Sequence, residues 1–217
     1  MFLLIDKPIG PTSHDIVDQV RRKTGERRVG HAGTLDPFAS GLLIIGVGRE
    51  STRELGTFLG MDKEYEATFV LGGESDTNDL TGKITPIPLP ENLTEEKIKN
   101  AMKKFVGEIK QIPPAYSAIK IKGQKMYEAA RAGKPLEAKA RPVTIYEFEL
   151  VNVDTERRGE RPFAPTVNIR VRIHCSSGTY IRALARDLGH ELGTGGYVSE
   201  LRRTAIGEFR VENAEKL

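Results

Sequence analysis

Gly30-His31-Ala32-Gly33-Thr34-Leu35-Asp36-Pro37-Phe38-Ala39-Ser40-Gly41 runs without a break into Leu42-Leu43-Ile44-Ile45-Gly46-Val47. The second half is a short continuous apolar run, the pattern of a strand buried on both faces. The first half reads as a loop from Gly30 onward that carries one carboxylate, Asp36, with glycines to loosen it and Pro37 to stiffen it. A loop braced by a core strand is where folds typically display a reactive group. An ordinary Asp-Pro turn has the same composition, since both residues are common turn formers. The segment alone leaves both readings open.

The flanking sequence supplies the other elements. Met1 to Pro8 reads as a first strand. Thr12-Ser13-His14-Asp15 predicts a helix start, with Thr12 as cap and Asp15 at the capping-box position. Ile16, Val17 and Val20 form its apolar face, and Gly25 is its stop. Ser51-Thr52-Arg53-Glu54 opens a short helix with Leu55, Phe58 and Leu59 inward. From Glu64 to Leu71 the pattern alternates, with Tyr65, Ala67, Phe69 and Leu71 on one face of a strand. A polar turn region runs from Gly72 to Gly82. Thr94 caps a helix whose stripe is Ile98, Ala101, Met102 and Phe105, and Gly107 is its expected end.

Ile112-Pro113-Pro114 breaks regular structure. An insertion over about 110–142 follows, with a short helix near Met126–Ala132. Strands are expected at Val143–Val153 and Thr166–His174, a helix at Tyr180–Leu192, and a last strand pair at Val198–Arg203 and Ala205–Val211. The stretch Asp154 to Arg161 reads as a charged hairpin tip. Interleaved strands and helices predict a mixed α/β (α+β) fold, with a largely antiparallel mixed sheet flanked by helices.

The 217 residues are 38% hydrophobic, enough for a sizeable core. No apolar run approaches the roughly 20 residues of a membrane span. A single cysteine, Cys175, excludes an intrachain disulfide and fits a reducing, cytoplasmic setting. The net charge is only +3, yet Lys110 to Pro142 carries eight basic and two acidic residues. A local basic stripe is the electrostatic footprint of a polyanion partner such as RNA, although a solvated lysine-rich loop has the same composition. The four histidines are scattered, so no metal-binding spacing appears. There is no Walker loop and no Gly-x-Ser-x-Gly elbow. The expectation is chemistry by ordinary side chains, without cofactor or metal.

Arg182 sits in the first turn of the Tyr180–Leu192 segment, where the helix dipole disfavours a cation. That placement points to a specific anionic partner or, equally, to a side chain that turns into solvent or caps a neighbouring carbonyl.

Four segments share one pattern. They are Lys7-Pro8-x-Gly10-x-Thr12-Ser13 followed by Gly30 to Gly41; Lys63-x-Tyr65; Gln111-x-Pro113-Pro114-x-Tyr116-Ser117-Ala118-x-Lys120 through Tyr127 to Ala130-Arg131; and Cys175 to Arg182 with Leu201-Arg202-Arg203. Together they resemble the TruB family of tRNA pseudouridine synthases over nearly the whole chain. The resemblance implies a pseudouridine synthase fold in one catalytic domain over 1–217, with the insertion as an RNA clasp. It implies isomerisation of the T-loop uridine at the conventional position 55 of tRNA: the uracil–ribose C–N bond breaks and a C–C bond forms through C5.

By the same resemblance Asp36 is the catalytic nucleophile, or assists cleavage by removing a ribose proton, with Arg182 favouring its charged form. Tyr65 stacks on the base and helps to remove the C5 proton. Leu201 packs against the flipped base, and His31 splays the RNA loop. Lys120, Lys122, Lys125 and Arg131 grip phosphates, and Lys7 and Tyr180 support the pocket wall. The expected partner is the tRNA T-arm, met by a monomer without a membrane. Many family members carry a further small RNA-binding domain, for which the residues after Leu201-Arg202-Arg203 leave no room. The rival reading is a non-catalytic RNA-binding or RNA-folding module.

Overall fold

The computed structural model describes residues 1–121, 123–136, 138–154 and 165–217. Lys122 and most of the expected charged tip therefore lie outside the described residues. The N-terminal elements are β1 (Phe2–Lys7), α1 (Ser13–Thr24), β2 (Val29–Ala32), β3 (Ser40–Val47), α2 (Arg49–Leu59), β4 (Lys63–Leu71), β5 (Gly73–Ser75) and β6 (Ile84–Pro86). Next come α3 (Glu95–Lys103), β7 (Gly107–Gln111), β8 (Lys120–Ile121), β9 (Gln124–Lys125), α4 (Met126–Arg131) and β10 (Arg141–Asp154). The last are β11 (Val167–Cys175), α5 (Ile181–Leu192), β12 (Gly196–Ile206), β13 (Phe209–Arg210) and a 3-10 turn at Val211–Asn213. The expected α+β class with a mostly antiparallel mixed sheet is what the chain adopts.

The chain divides into two compact units, one of Met1–Ala67, Arg172–Ser177 and Glu200–Leu217, the other of Thr68–Val171 and Gly178–Ser199. It passes from one to the other four times, and β4, β11 and β12 each contribute residues to both.

In the first unit β3 is the central strand. It pairs antiparallel with β1 from Phe2↔Gly46 to Lys7↔Gly41 and with β2 from Val29↔Val47 to Ala32↔Ile44, and parallel with β12 at Arg202↔Ser40 and Arg203↔Gly41. Leu43, Ile45 and Val47 pack with Ile5, Val29 and the Ile16–Val17–Val20 face of α1. Leu42 and Ile44 point the other way, into a cluster with Ala32, Leu55, Ile206 and Val211. Both faces of β3 are covered, which is why its sequence is apolar without alternation.

Helix α1 forms as its ends require. The Thr12 hydroxyl accepts from the Asp15 N–H at 3.1 Å, and the Asp15 carboxylate accepts from the Thr12 N–H at 2.8 Å. Gly25 closes it at φ 70°, a left-handed conformation that glycine adopts without a Cβ penalty.

Three expectations need correction here. His31 and Gly30 are not loop residues: β2 pairs them with Ile45 and Gly46, so the loop is only Gly33–Ala39. The chain's end is not two strands breaking near Thr204. β12 runs through to Ile206, and Gly207, at φ 54°, makes the turn to β13. Leu59 is 49% exposed, because it is the last residue of α2 and only Leu55 and, in part, Phe58 turn inward.

In the second unit Thr94 caps α3, accepting from the Lys97 N–H at 3.3 Å, and Ile98, Ala101 and Met102 are buried. The helix ends at Lys103, not at Gly107, and Phe105 lies in the turn beyond it. Gly107 instead begins β7, which pairs antiparallel with β10 from Arg141↔Gln111 to Ile145↔Gly107. At the start of α5, Gln111 replaces a missing side-chain cap. Its Oε1 accepts from the Tyr180 N–H at 2.8 Å, and its Nε2 donates to the Tyr180 carbonyl at 3.1 Å. No described helix is long and apolar enough to cross a membrane.

Candidate active site

Asp36 is half-buried on the loop between β2 and β3. Several peptide groups of the loop are held from outside or within it. The Ser13 hydroxyl donates to the Leu35 carbonyl at 3.1 Å and accepts from the Leu35 N–H at 2.9 Å. The Gly10 N–H donates to the Pro37 carbonyl at 2.8 Å, and the Ala39 N–H to the Asp36 carbonyl at 3.1 Å. Lys7 is fully buried, and its Nζ donates to the carbonyls of Ala39 at 2.7 Å and Pro8 at 2.8 Å. Thus Lys7, Gly10 and Ser13 together form a clamp on the carboxylate's loop.

A second hold comes from the other end of the chain. Arg203 is 1% exposed; its Nε donates to the Leu42 carbonyl at 2.8 Å and its Nη2 to the Gly33 carbonyl at 2.9 Å. Gly41 lies against the Arg203 backbone so closely that a Cβ on it would meet the Arg203 carbonyl oxygen at 2.2 Å. Only glycine permits that approach.

Tyr65 is buried on β4 and feels the charge of Arg203. Burial pushes its phenol up from the ordinary value; the Arg203 guanidinium pulls it back, while Asp36 adds to the rise. Burial also brings the Lys7 ammonium down to about 8, with Asp36 favouring its charge and Arg203 opposing it. Lys63, on the same strand face as Tyr65, falls to about 8 for the same first reason; its Nζ donates to the Leu59 carbonyl at 2.8 Å and to the Met61 carbonyl. His31 is held below its ordinary value by burial and then by Arg203 and His14, which keeps the ring neutral near pH 7. Its Nδ1 is buried without a hydrogen-bond partner among the described residues. Leu201 is buried on β12, two positions before Arg203 and on the same face.

Asp36, Lys7, His31, Tyr65 and Leu201 thus all fall in the first unit, with the charge of Arg203 acting on Tyr65, Lys7 and His31. Arg182, Tyr180, Lys120, Lys125 and Arg131 fall in the second. There Arg182 is 5% exposed; it donates to Asp79 Oδ2 at 3.2 Å and to the carbonyls of Thr77 and Tyr116, each at 2.9 Å. Asp79 is an anion of the kind that the first-turn position of Arg182 calls for. Its other oxygen accepts from the hydroxyls of Thr77 at 2.8 Å and Thr81 at 2.6 Å. Tyr180 is the N-cap of α5.

Lys120 and Lys125 sit directly opposite each other in the β8–β9 hairpin. Lys125 also reaches the Tyr127 hydroxyl at 3.1 Å and Glu128 at 3.4 Å, and both Lys125 and Arg131 lie over the Tyr127 ring. Like charges opposite each other in a ladder are unfavourable unless something neutralises them.

Arg203 and Lys63 were quoted in the sequence patterns but not singled out as site residues. The signal that finds them is a charged residue at an inward-facing strand position, since a buried cation needs specific partners. Among the described residues no group of His, Cys, Asp or Glu is arranged to hold a metal ion.

The model of the TruB family pseudouridylate synthase N-terminal domain matches residues 21–181, and that of the tRNA pseudouridylate synthase B C-terminal domain matches 182–217. The chain is 46% identical to tRNA pseudouridine synthase B of Thermobifida fusca over 99% of its own length and 72% of that protein's. For the protein of that name from Mycobacterium tuberculosis the figures are 47%, 99% and 70%. Among solved structures, a Cbf5–Nop10–Gar1 complex matches 100% of this chain at 30% identity and TM-score 0.72. An H/ACA RNP bound to a substrate RNA containing 2'-deoxyuridine matches 99% at 28% identity and TM-score 0.69. The chain spans about half the length of those two solved chains, 52% and 50%. With family models matched end to end from residue 21 and near-half identity to its relatives, the chain belongs to the TruB family of pseudouridine synthases.

Proposed function

We propose that this chain isomerises uridine to pseudouridine in tRNA, at the T-loop uridine of conventional position 55, with Asp36 as the catalytic nucleophile. The observation that carries the reading is the fixation of the Asp36 loop by Lys7, Gly10, Ser13 and Arg203, with the Tyr65 phenol buried within the influence of the Arg203 charge. Holding a reacting group in place removes orientational freedom that the transition state would otherwise have to lose. The names of the relatives support tRNA as substrate.

In this reading the uridine leaves its stack, at a cost of a few kcal/mol. His31, neutral and partly buried, occupies the space that the base vacates. Tyr65 and Leu201 bound the base, and Asp36 acts at the ribose as the C–N bond breaks. Arg182, held by Asp79, serves the same reaction, and Tyr180 and Lys7 keep backbone in place around it. Lys120, Lys122, Lys125 and Arg131 bring the T-arm by its phosphates. The enzyme works as a monomer.

The test is tritium release. A tRNA transcript carrying tritium at uracil C5 is incubated with wild type and with Asp36→Asn. Wild type should release tritium to water and Asp36→Asn should not; release that is equal in the two would refute the assignment of Asp36. Transcripts with the T-loop uridine replaced by cytidine should release none from that position.

A further inference from the structure

We propose that the turn from α1 into β2, together with Arg49 at the start of α2, is a phosphate-binding face of the first unit that grips the tRNA backbone away from the reacting uridine. The inference rests on the pseudouridine synthase reading above. It adds a contact that neither the Asp36 site nor the basic hairpin supplies.

Arg21-Arg22-Lys23-Thr24-Gly25-Glu26-Arg27-Arg28 holds five basic residues and one acidic, a higher charge density than any stretch of the insertion over 110–142. Two of these charged groups build the turn itself. Arg21 donates to Asp18 Oδ1 at 2.8 Å and to the Val29 carbonyl at 3.0 Å, and Glu26 Oε1 accepts from the Arg28 N–H at 2.7 Å. The Gly25 N–H donates to the Arg21 carbonyl at 2.9 Å, and the Val29 N–H to the Arg27 carbonyl at 3.2 Å. The backbone is thus fixed, while Arg22, Lys23, Arg27 and Arg28 are exposed. The Gly48 N–H donates to the Arg28 carbonyl at 2.8 Å, which sets the exposed Arg49 beside the turn. Among the described residues these five cations form no ion pair and no side-chain hydrogen bond, although Arg22 acts through charge on Asp15 and Glu50 follows Arg49 in sequence.

Helix electrostatics account for part of this cluster, since cations in the last turn of α1 complement its dipole. They do not account for Arg27 and Arg28, which lie past the stop at Gly25, or for Arg49, in the first turn of α2 where the dipole disfavours a cation. Crowded like charges repel one another, and an anion of several charges removes that cost. Four of the five are arginines, whose planar fork meets a phosphate with two parallel hydrogen bonds. Residues 21–28 contain no apolar side chain, so the turn lacks the apolar centre of a protein–protein contact and the apolar face of a membrane-lying helix. A phosphate backbone asks for charge alone. Helix α1 ties this face to the reacting carboxylate. Its first residue, Ser13, holds Leu35 beside Asp36, and its 12 residues place the turn roughly 18 Å along the helix axis from that clamp. The phosphates gripped there therefore belong to nucleotides other than the reacting one. Such contacts position the RNA without reading its sequence.

The experiment compares wild type with a triple variant, Arg22→Gln, Lys23→Gln and Arg27→Gln, and with a control that loses the same charge from α3, Lys97→Gln, Lys99→Gln and Lys103→Gln. Affinity for the tRNA transcript is measured across a salt series, and tritium release under single-turnover conditions at saturating tRNA. The triple variant should bind about tenfold more weakly or worse, and its slope of log affinity against log salt should fall by roughly 2 units. Its rate at saturation should stay within about twofold of wild type, as loss of uniform binding leaves it. Phosphates whose ethylation weakens binding by wild type should include some that no longer matter to the triple variant. Arg27→Gln alone, with roughly a third of the slope change, serves as the test should the triple variant not fold. An unchanged slope, an equal loss in the α3 control, or a slower saturated rate with intact affinity would each overturn the inference. So would binding to vesicles of anionic phospholipid that the triple variant loses while its tRNA affinity stays intact, which would assign the face to a membrane. If wild type releases no tritium, the proposed function falls and takes the inference with it. Normal release by wild type with an unchanged slope in the triple variant removes the inference alone.

Discussion

Lys7 gives two of its three N–H groups to backbone carbonyls and has no room to reach solvent. Its value in the folded protein, about 8, lies below the ordinary 10.5. The folded state therefore binds fewer protons than the unfolded one between those values, and stability rises with pH across that window. Urea unfolding of wild type and Lys7→Met from about pH 7 to about pH 10 should show wild type gaining on the variant as pH climbs. A constant difference would mean that burial of the ammonium does not govern Lys7. Residues of this kind were the least legible from sequence. Asp36 stood out through the family pattern that its segment shares with three others, since its loop alone reads equally as an Asp-Pro turn. Tyr65 stood out through the same resemblance, since the alternation of its strand implies only an inward-facing position. Arg203 and Lys63 occupy the same alternating faces, but their charges mask the period, and only the folded chain reveals the carbonyls that hold them. The first-turn position of Arg182 leaves an anionic partner and a carbonyl or solvent contact equally open, and Asp79 lies 103 positions away in sequence, beyond any local signal.

Elements were legible where their ends are local chemistry. Helix α1 follows from Thr12, Asp15 and Gly25, all within one segment. Thr12→Ala removes the cap and should cost about 1 kcal/mol. Strand β3 depends instead on burial from both sides, and Ile45 is fully buried against the α1 face. Ile45→Ala should cost about 2–5 kcal/mol. Chemical unfolding of both variants checks the order, and Ile45→Ala proving the milder would contradict the packing described. Strand β2 was missed because four residues carry too little pattern, and its existence depends on β3, fifteen or so positions further on. The end of α3 was misjudged because Gly107 is a stop signal in sequence, yet the chain uses its φ of 100° to begin a strand.

At the scale of the whole molecule the overall class followed from the interleaving of strands and helices, whereas the division into two units did not, since neither unit is a contiguous stretch. The basic hairpin belongs to the second unit, and two of its lysines face each other across the ladder. Replacing Lys120 and Lys125 by alanine should lower the slope of log affinity against log salt for tRNA by roughly 1 to 2 units. An unchanged slope would dismiss the hairpin as a phosphate grip. The four passages of the chain between the units have a practical consequence for dissecting the protein. A truncation library, which samples only continuous fragments, can never deliver either unit free of residues of the other. Any piece long enough to hold Asp36 and Arg203 together must span at least residues 36 to 203, and so carries the whole second unit with it. Reconstitution from two separately expressed halves, or permuted termini placed at one of the four passages, is the genetic route that this architecture leaves open.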